Sequence, residues 1–309
     1  MLFRVRDAID RARFNAAAKG VLATPPLPVR ADDDALTIVT MLQSKDVIPY
    51  LVAAKSFYAR LNRGRIVIVD DGSLTPVDRQ TLSAHLPGVV FRPMAEGAID
   101  GLPRGGCWER LGVVAKETHN AYVIQLDADT VTLGDLSAVE SHIDERSPFA
   151  IADGPVPGMR SLRELANYQR ARTNAKSHVQ LAVEHALDRV GLPDGRRYLR
   201  GSAAFAGYPK GSDIAQLMRE FSDAMGAALG DQWSAWGTEQ ATSNYVVANI
   251  GEASALAPPA YANHTPETDI DAASLIHFYG EYRYVGGRYA AAARRAIERL
   301  RDQATNAAV

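Results

Sequence analysis

A chain of 309 residues is long enough to bury a substantial core, and a hydrophobic share of 47% rules out a disordered polymer. The formal net charge of -2 gives no general attraction to nucleic acid or to an anionic membrane. A single cysteine, Cys107, excludes an internal disulfide framework and any cysteine-rich zinc or iron–sulfur site. No run of about 18 apolar residues occurs, so no transmembrane segment is expected. The first residues carry Arg4, Arg6, Asp7 and Asp10 without the apolar stretch of a secretory signal, so a soluble, cytoplasmic protein in a reducing compartment is expected.

In chain order, Leu2 to Leu22 predicts an amphipathic helix closed by the turn at Pro25, Pro26 and Pro28. After the acidic residues Asp32 to Asp34, the β-branched run Leu36 to Thr40 predicts the first strand. Pro49 to Leu61 predicts a helix with Leu51, Ala54, Tyr58 and Leu61 on one face, ended by Gly64. Arg65 to Val69 (RIVIV) predicts a buried strand that runs into Asp70, Asp71, Gly72 and Ser73. Strand, helix and strand with short connections make a right-handed parallel βαβ unit. A helix from Pro76 to His85 and a strand from Val89 to Phe91 repeat it. A loop rich in glycine and proline then leads to a helix over Cys107 to His119, a strand ending at Leu126, a helix over Leu136 to Ile143 and a strand over Phe149 to Ala152.

The second half has a different texture. Ser161 to Val190 predicts two polar helices, and Gly201 to Tyr208 a strand of small residues. Asp213 to Leu229 predicts an amphipathic helix, and Thr238 with Glu239 precedes the next one. Strands at Ala253 to Leu256 and Ser274 to Phe278 and a terminal helix over Arg288 to Arg301 complete the chain. The expected class is α/β, a single domain with a mainly parallel central sheet flanked by helices. Its parts are an N-terminal helical arm (1–34), a half that looks nucleotide-binding (35–155), a second half (156–285), which the resemblance described below makes the acceptor side, and a C-terminal helix (286–309). There is no G-x-G-x-x-G between the first strand and helix and no Gly-Lys-Ser/Thr loop, against a dinucleotide or P-loop site.

The stretch Val123 to Leu133 (VIQLDADTVTL) concentrates the chemistry. A buried strand ending in Asp127 and Asp129 presents carboxylates at the carboxyl edge of a sheet, where open α/β sheets bind ligands. Hard divalent cations take such oxygens together with diphosphate oxygens. The plain alternative is a strand-to-loop junction with solvated acids. Of the seven histidines, His277 alone ends a credible strand beside a glycine turn. It reads either as a metal ligand or as a strand histidine hydrogen-bonded to its neighbours.

These residues resemble the nucleotide-sugar glycosyltransferases of the GT-A fold, nearest to the glycogenin-like and galactosyltransferase-like retaining enzymes. VIQLDADT resembles their Asp-x-Asp motif, Asp70-Asp71-Gly72-Ser73 their nucleoside segment, Trp236 to Gln240 their acceptor-side segment, and Ile276 to Arg283 (IHFYGEYR) their late His-x-x-Gly stretch. The likeness runs from Leu36 to Arg283 in the family's order. It implies Mn²⁺ (or Mg²⁺) on Asp127, Asp129 and His277, with Asp129 the direct ligand, Asp127 also reaching the ribose and Ala128 between them along the donor. It implies nucleoside contacts from Asp70 and Asp71, base contacts from Thr40 and Leu42, and donor contacts from Lys116, with Arg104 and Arg110 as further candidates.

Glu239 and Gln240 are the residues assigned to the catalytic or sugar-binding role. This chain departs from the family's Asp-Gln by the longer Glu239. Thr238 and Glu239 also suit a plain helix N-terminus. Trp233 and Trp236 either stack on a sugar or pack the loop. The implied reaction moves a hexose from a UDP-sugar to a hydroxyl acceptor, with retention. A sugar-nucleotide nucleotidyltransferase is the alternative enzyme, although Thr40 to Lys45 lacks its glycine-rich basic segment. A non-catalytic interaction protein of the same fold is the alternative outside enzymes. A homodimer through the N-terminal arm and last helix stays open.

Overall fold

The computed structural model describes residues 2–27, 30, 35–154, 158–174 and 178–307. Pro28 of the expected turn, the acidic run Asp32 to Asp34 and the expected boundary at 155 lie outside them. The first elements are α1 (Leu2–Ala18), β1 (Leu36–Leu42), α2 (Val47–Leu61), β2 (Arg65–Asp70), α3 (Pro76–His85) and β3 (Val90–Pro93). Then come α4 (Trp108–Glu117), β4 (Tyr122–Leu126), β5 (Thr130–Thr132), α5 (Ser137–Asp144), β6 (Phe149–Ala152), β7 (Met159–Ser161), α6 (Leu162–Arg170) and α7 (Val179–Ala186). The last are β8 (Arg197–Leu199), β9 (Gly201–Tyr208), α8 (Ile214–Leu229), α9 (Thr238–Val247), β10 (Ser254–Leu256), β11 (Tyr261–Asn263), β12 (Leu275–His277) and α10 (Arg288–Ala307).

The class is α/β, with mainly parallel central strands flanked by helices, as the sequence predicts. Two compact units are built from interleaved segments. The first comprises Met1–Arg92, Leu126–Glu140 and Ala257–Val309; the second comprises Pro93–Gln125 and Ser141–Leu256. No helix among the described residues is long and apolar enough to cross a membrane.

In the first unit β1 and β2 are parallel, from Thr37 opposite Arg65 to Leu42 opposite Asp70, and β3 follows β2. Both strands are buried on their two faces, which is why they read as unbroken apolar runs. Helix α2 makes the crossover and buries Tyr50, Leu51, Phe57 and Leu61. Each such side chain stabilises the fold by about 1.5–3 kcal/mol. Asn62 in the left-handed region ends this helix. Thr75 and Asp78 form a capping box that starts α3, with Pro76 in its first turn. Lys55 on α2 is wholly buried, its Nζ donating to Thr24 Oγ1 (2.5 Å) and to the Pro25 carbonyl (2.7 Å), which ties the segment after α1 to the core. Phe14 of α1 stacks on Tyr289 of α10, which in turn stacks on Phe278.

A second sheet in this unit has the order β11–β12–β5. Strand β12 runs antiparallel to β5, with His277 opposite Thr130, and parallel to β11, with His277 opposite Asn263. The sequence predicts no strand at β5 or β11. Three residues carry too little periodicity to register, and long-range pairing supplies what local propensity does not.

In the second unit the strand order is β10–β6–β9–β4, with β6 parallel to β10 and antiparallel to β9, and β7 pairs antiparallel with β8. Helix α4 lies against the 3-10 turn Met94–Gly97 through a glycine pair. A Cβ on Gly97 would sit 1.9 Å from the Glu109 carbonyl oxygen, and one on Gly112 would sit 1.8 Å from the Gly97 carbonyl oxygen. Helix α9 begins at Thr238, so Thr238 and Glu239 are inside it, and Gly237 before it has φ +101°. A Cβ on Gly237 would also press on the His178 ring at 3.2 Å, so this helix start requires glycine.

Candidate active site

In the first unit the turn after β4 carries Asp127, Ala128 and Asp129, all half-buried. Thr130 N–H and Oγ1 donate to the Asp127 carbonyl, and Phe278 N–H donates to the Asp129 carbonyl at 2.8 Å. These bonds hold the turn against β12. Pairing of β5 with β12 therefore brings His277 to the two aspartates, and ligand atoms of Asp127, Asp129 and His277 all lie within 4.8 Å of one another.

The donor set, two carboxylates and an imidazole, fits a divalent cation. His277 Nδ1 bonds Asn263 Oδ1 at 2.8 Å, and since an amide oxygen only accepts, Nδ1 carries the proton. Nε2, the ring nitrogen left to this side, lies 3.3 Å from Asp129 Oδ1. A proton or a metal cation can bridge that separation. An imidazole oriented by its other nitrogen is the usual form of a histidine ligand. Burial would raise the Asp129 carboxyl, but His277 and then Arg283 hold it below the ordinary carboxylate range. Asp129 Oδ2 is ion-paired with Arg283, which also donates to the Phe278 carbonyl. Burial acts against the Arg283 charge, and Asp129 more than restores it.

Asp46, just before α2, is pushed up first by burial, Lys45 and Arg283 opposing and Asp129 and Asp71 adding to the rise. Lys45, Asp46, Arg283 and Tyr284 border a cavity of about 880 Å³, whose α1 side carries Arg11 and Lys19.

The other expected nucleoside residues lie in the same unit. Asp70 is buried and committed: Oδ1 accepts from Gly72 N–H (2.8 Å) and Oδ2 pairs with Arg79. Asp71 Oδ1 accepts from the Ser73 N–H and hydroxyl, closing the turn after β2. Leu42 is fully buried and its carbonyl accepts from Asp71 N–H. Thr40 is fully buried with no hydrogen-bond partner for Oγ1 among the described residues.

The remaining expected residues lie in the second unit. Glu239 and Arg110 form a buried ion pair at 3.2 Å, with side chains 4% and 6% exposed. Trp108 Nε1 donates to Thr238 Oγ1 beside it at 3.0 Å. Gln240, half-buried, donates from Nε2 to Gln180 Oε1 at 2.9 Å. Lys116 is exposed and donates to the Glu96 carbonyl, and Arg104 is exposed beside Asp100. Trp233 packs: it is buried against Trp108 and Phe221 and donates to Ser222 Oγ. Trp236 is 73% exposed, edge-on to His178.

Sequence reasoning missed Asn263, Asp46, Arg283 and Gln180. Arg283 had a signal, since a basic residue three positions past Gly280 in IHFYGEYR is brought back by the 3-10 turn Gly280–Tyr282. Asn263 had none, because only the β11–β12 register sets it beside His277.

No protein-family model and no curated protein matches the chain. Among solved structures, galactosyltransferase LgtC in complex with donor and acceptor sugar analogs matches with a TM-score of 0.51 at 14% identity, over 83% of this chain and 95% of that one. A structure of an active-site mutant of LgtC gives 0.50 at 13% identity over the same shares. The chain has the fold of the GT-A glycosyltransferases.

Proposed function

We propose that the protein transfers a hexose from a UDP-sugar to a hydroxyl acceptor, with retention at the anomeric carbon, using Mn²⁺ or Mg²⁺ held by Asp127, Asp129 and His277. The carrying observation is that ligand atoms of Asp127, Asp129 and His277 lie within 4.8 Å of one another, with His277 Nε2 3.3 Å from Asp129 Oδ1. When bound, the cation supplies positive charge to a leaving diphosphate. Arg283, already paired with Asp129, adds a second positive group there. The cavity of about 880 Å³ at Lys45, Asp46 and Arg283 is of a size to receive a nucleoside diphosphate; Thr40, Leu42, Ala128 and Asp71 are the nucleoside contacts of this reading. Asp70 supports the Asp71 turn.

Gln240 is the group offered to the sugar, and Glu239 anchors it through the buried pair with Arg110. Residues beyond 155 form the acceptor side in this reading, with Trp236 as an apolar face for a sugar ring. Lys116 and Arg104 are candidate donor contacts that would leave their present partners. A screen of nucleotide sugars for Mn²⁺-dependent hydrolysis tests the reading, followed by NMR of the anomeric proton in the transfer product. Activity unchanged in Asp127→Asn/Asp129→Asn would reject it, and an inverted product would reject retention.

A further inference from the structure

Gln240 ends a hydrogen-bond chain that runs inward through the second unit. Gln240 Nε2 donates to Gln180 Oε1 (2.9 Å), and Gln180 Nε2 donates to Glu184 Oε1 (3.1 Å). Glu184 Oε2 accepts from Arg200, which also lies 3.5 Å from Asp153. Gln180 and Glu184 are one turn apart on α7, and the Glu184 side chain has no exposure. The Gln240–Gln180 bond ties α7 to the first turn of α9.

Such a chain has a direction. A carboxylate only accepts, so Gln180 must turn its NH₂ to Glu184 and its oxygen to Gln240. Gln240 must then turn its NH₂ inward, leaving its oxygen as the free end of the amide. We propose that Gln180 and Glu184 are positioning residues that fix the Gln240 amide with its carbonyl oxygen outward. This rests on the proposed role of Gln240. An outward oxygen stabilises positive charge developing on an anomeric carbon, whereas an outward NH₂ opposes it.

The charged groups facing Glu184 are Arg200 from the β8–β9 junction and Asp153 after β6, with Tyr198 of β8 beside them; from α9 the chain ends in the neutral Gln240. Burial pushes Glu184 up to about 7, Arg200 opposing. Once protonated, Glu184 can donate to Gln180 Oε1, and both amides invert. Turnover therefore rises with pH through about 7.

The test is a swap. Glu184→Gln, whose amide turns its oxygen to Arg200 and its NH₂ to Gln180, reverses the enforced direction, Gln180→Met removes it, and each should lower kcat roughly 10- to 100-fold with donor KM little changed. Both should lose the pH limb. Gln180→Glu combined with Glu184→Gln restores the direction, since a carboxylate at 180 accepts from Gln240 and from the new amide at 184, whose oxygen accepts from Arg200. This double variant should recover kcat to within about threefold of wild type. Single variants with wild-type kcat, or a swap no better than the singles, would overturn the proposal. The Gln240 side-chain NH₂ is read separately by ¹⁵N NMR: its protons should be protected in wild type and the swap and exposed in Gln180→Met. Protons equally exposed in all three would overturn the proposal even in an enzyme without measurable turnover. Wild type that turns over no nucleotide sugar, with the protection pattern intact, would sink the functional reading alone.

Discussion

Replacing Glu239 by glutamine separates a buried anchor from a group that meets substrate directly. Arg110 Nη2 lies 3.2 and 3.4 Å from the two Glu239 oxygens. With an effective dielectric of ~20, the attraction at that separation is roughly 5 kcal/mol. Much of it offsets the cost of withdrawing both ions from water, so the pair's net worth is small, but removal of one partner takes this counter-charge from the other, which stays buried. That costs about 3–5 kcal/mol. Glu239→Gln should therefore lower the unfolding free energy by about 3 kcal/mol in urea titration, and Arg110→Met should do the same. Combining them should recover most of the loss, leaving the double variant within about 1–2 kcal/mol of wild type. Glu239→Gln within about 0.5 kcal/mol of wild type, or losses that simply add, would refute the anchoring argument.

Other outcomes follow from single features. Asp129→Asn should abolish the strengthening of UDP binding by Mn²⁺, seen by calorimetry with and without metal, because the ligand set loses its central carboxylate. Trp233→Ala should cost about 3–5 kcal/mol of stability, while Trp236→Ala should leave stability within about 0.5 kcal/mol and raise the acceptor KM. Gly112→Ala should lower the thermal midpoint sharply, since its methyl meets a backbone carbonyl that no rotamer change can move. Burial raises Glu184 from 4.5 to about 7, so the native state keeps a proton that the unfolded chain has released. Its contribution to stability is present below about 4.5 and lost as pH rises through about 7, and Glu184→Gln should flatten that dependence.

Legibility followed the range of the interactions. RIVIV and GSAAFAGY became β2 and β9 because strands buried on both faces advertise themselves as apolar or small-residue runs. Helix α3 is bounded as expected by Pro76 and His85, with its cap four residues of local chemistry. Asp127 and Asp129 after β4 and His277 at the end of β12 stood out in the sequence, and the structure brings their ligand atoms within 4.8 Å of one another. What lay out of reach was pairing. Glu239 resembled a solvated first-turn acid, and only the packing of α4, 129 residues earlier, buries it against Arg110. Gln180 lay in a polar helix with nothing local to mark its link to Gln240, 60 residues on.

The β5–β12 ladder makes the candidate metal site a fastening as well as a binding site. Asp129 and Arg283 are separated by 154 residues, yet they meet because two three-residue strands pair. Such short ladders open locally far more readily than a long central strand, and hydrogen exchange at Leu275, Ile276 and Phe278 reads that opening. A cation bridging Asp129 and His277 would bind only while the ladder is closed, so it would suppress opening by RT ln(1 + [L]/Kd). Under the proposed function, loading of the site and closure of the β5–β12 ladder are one equilibrium.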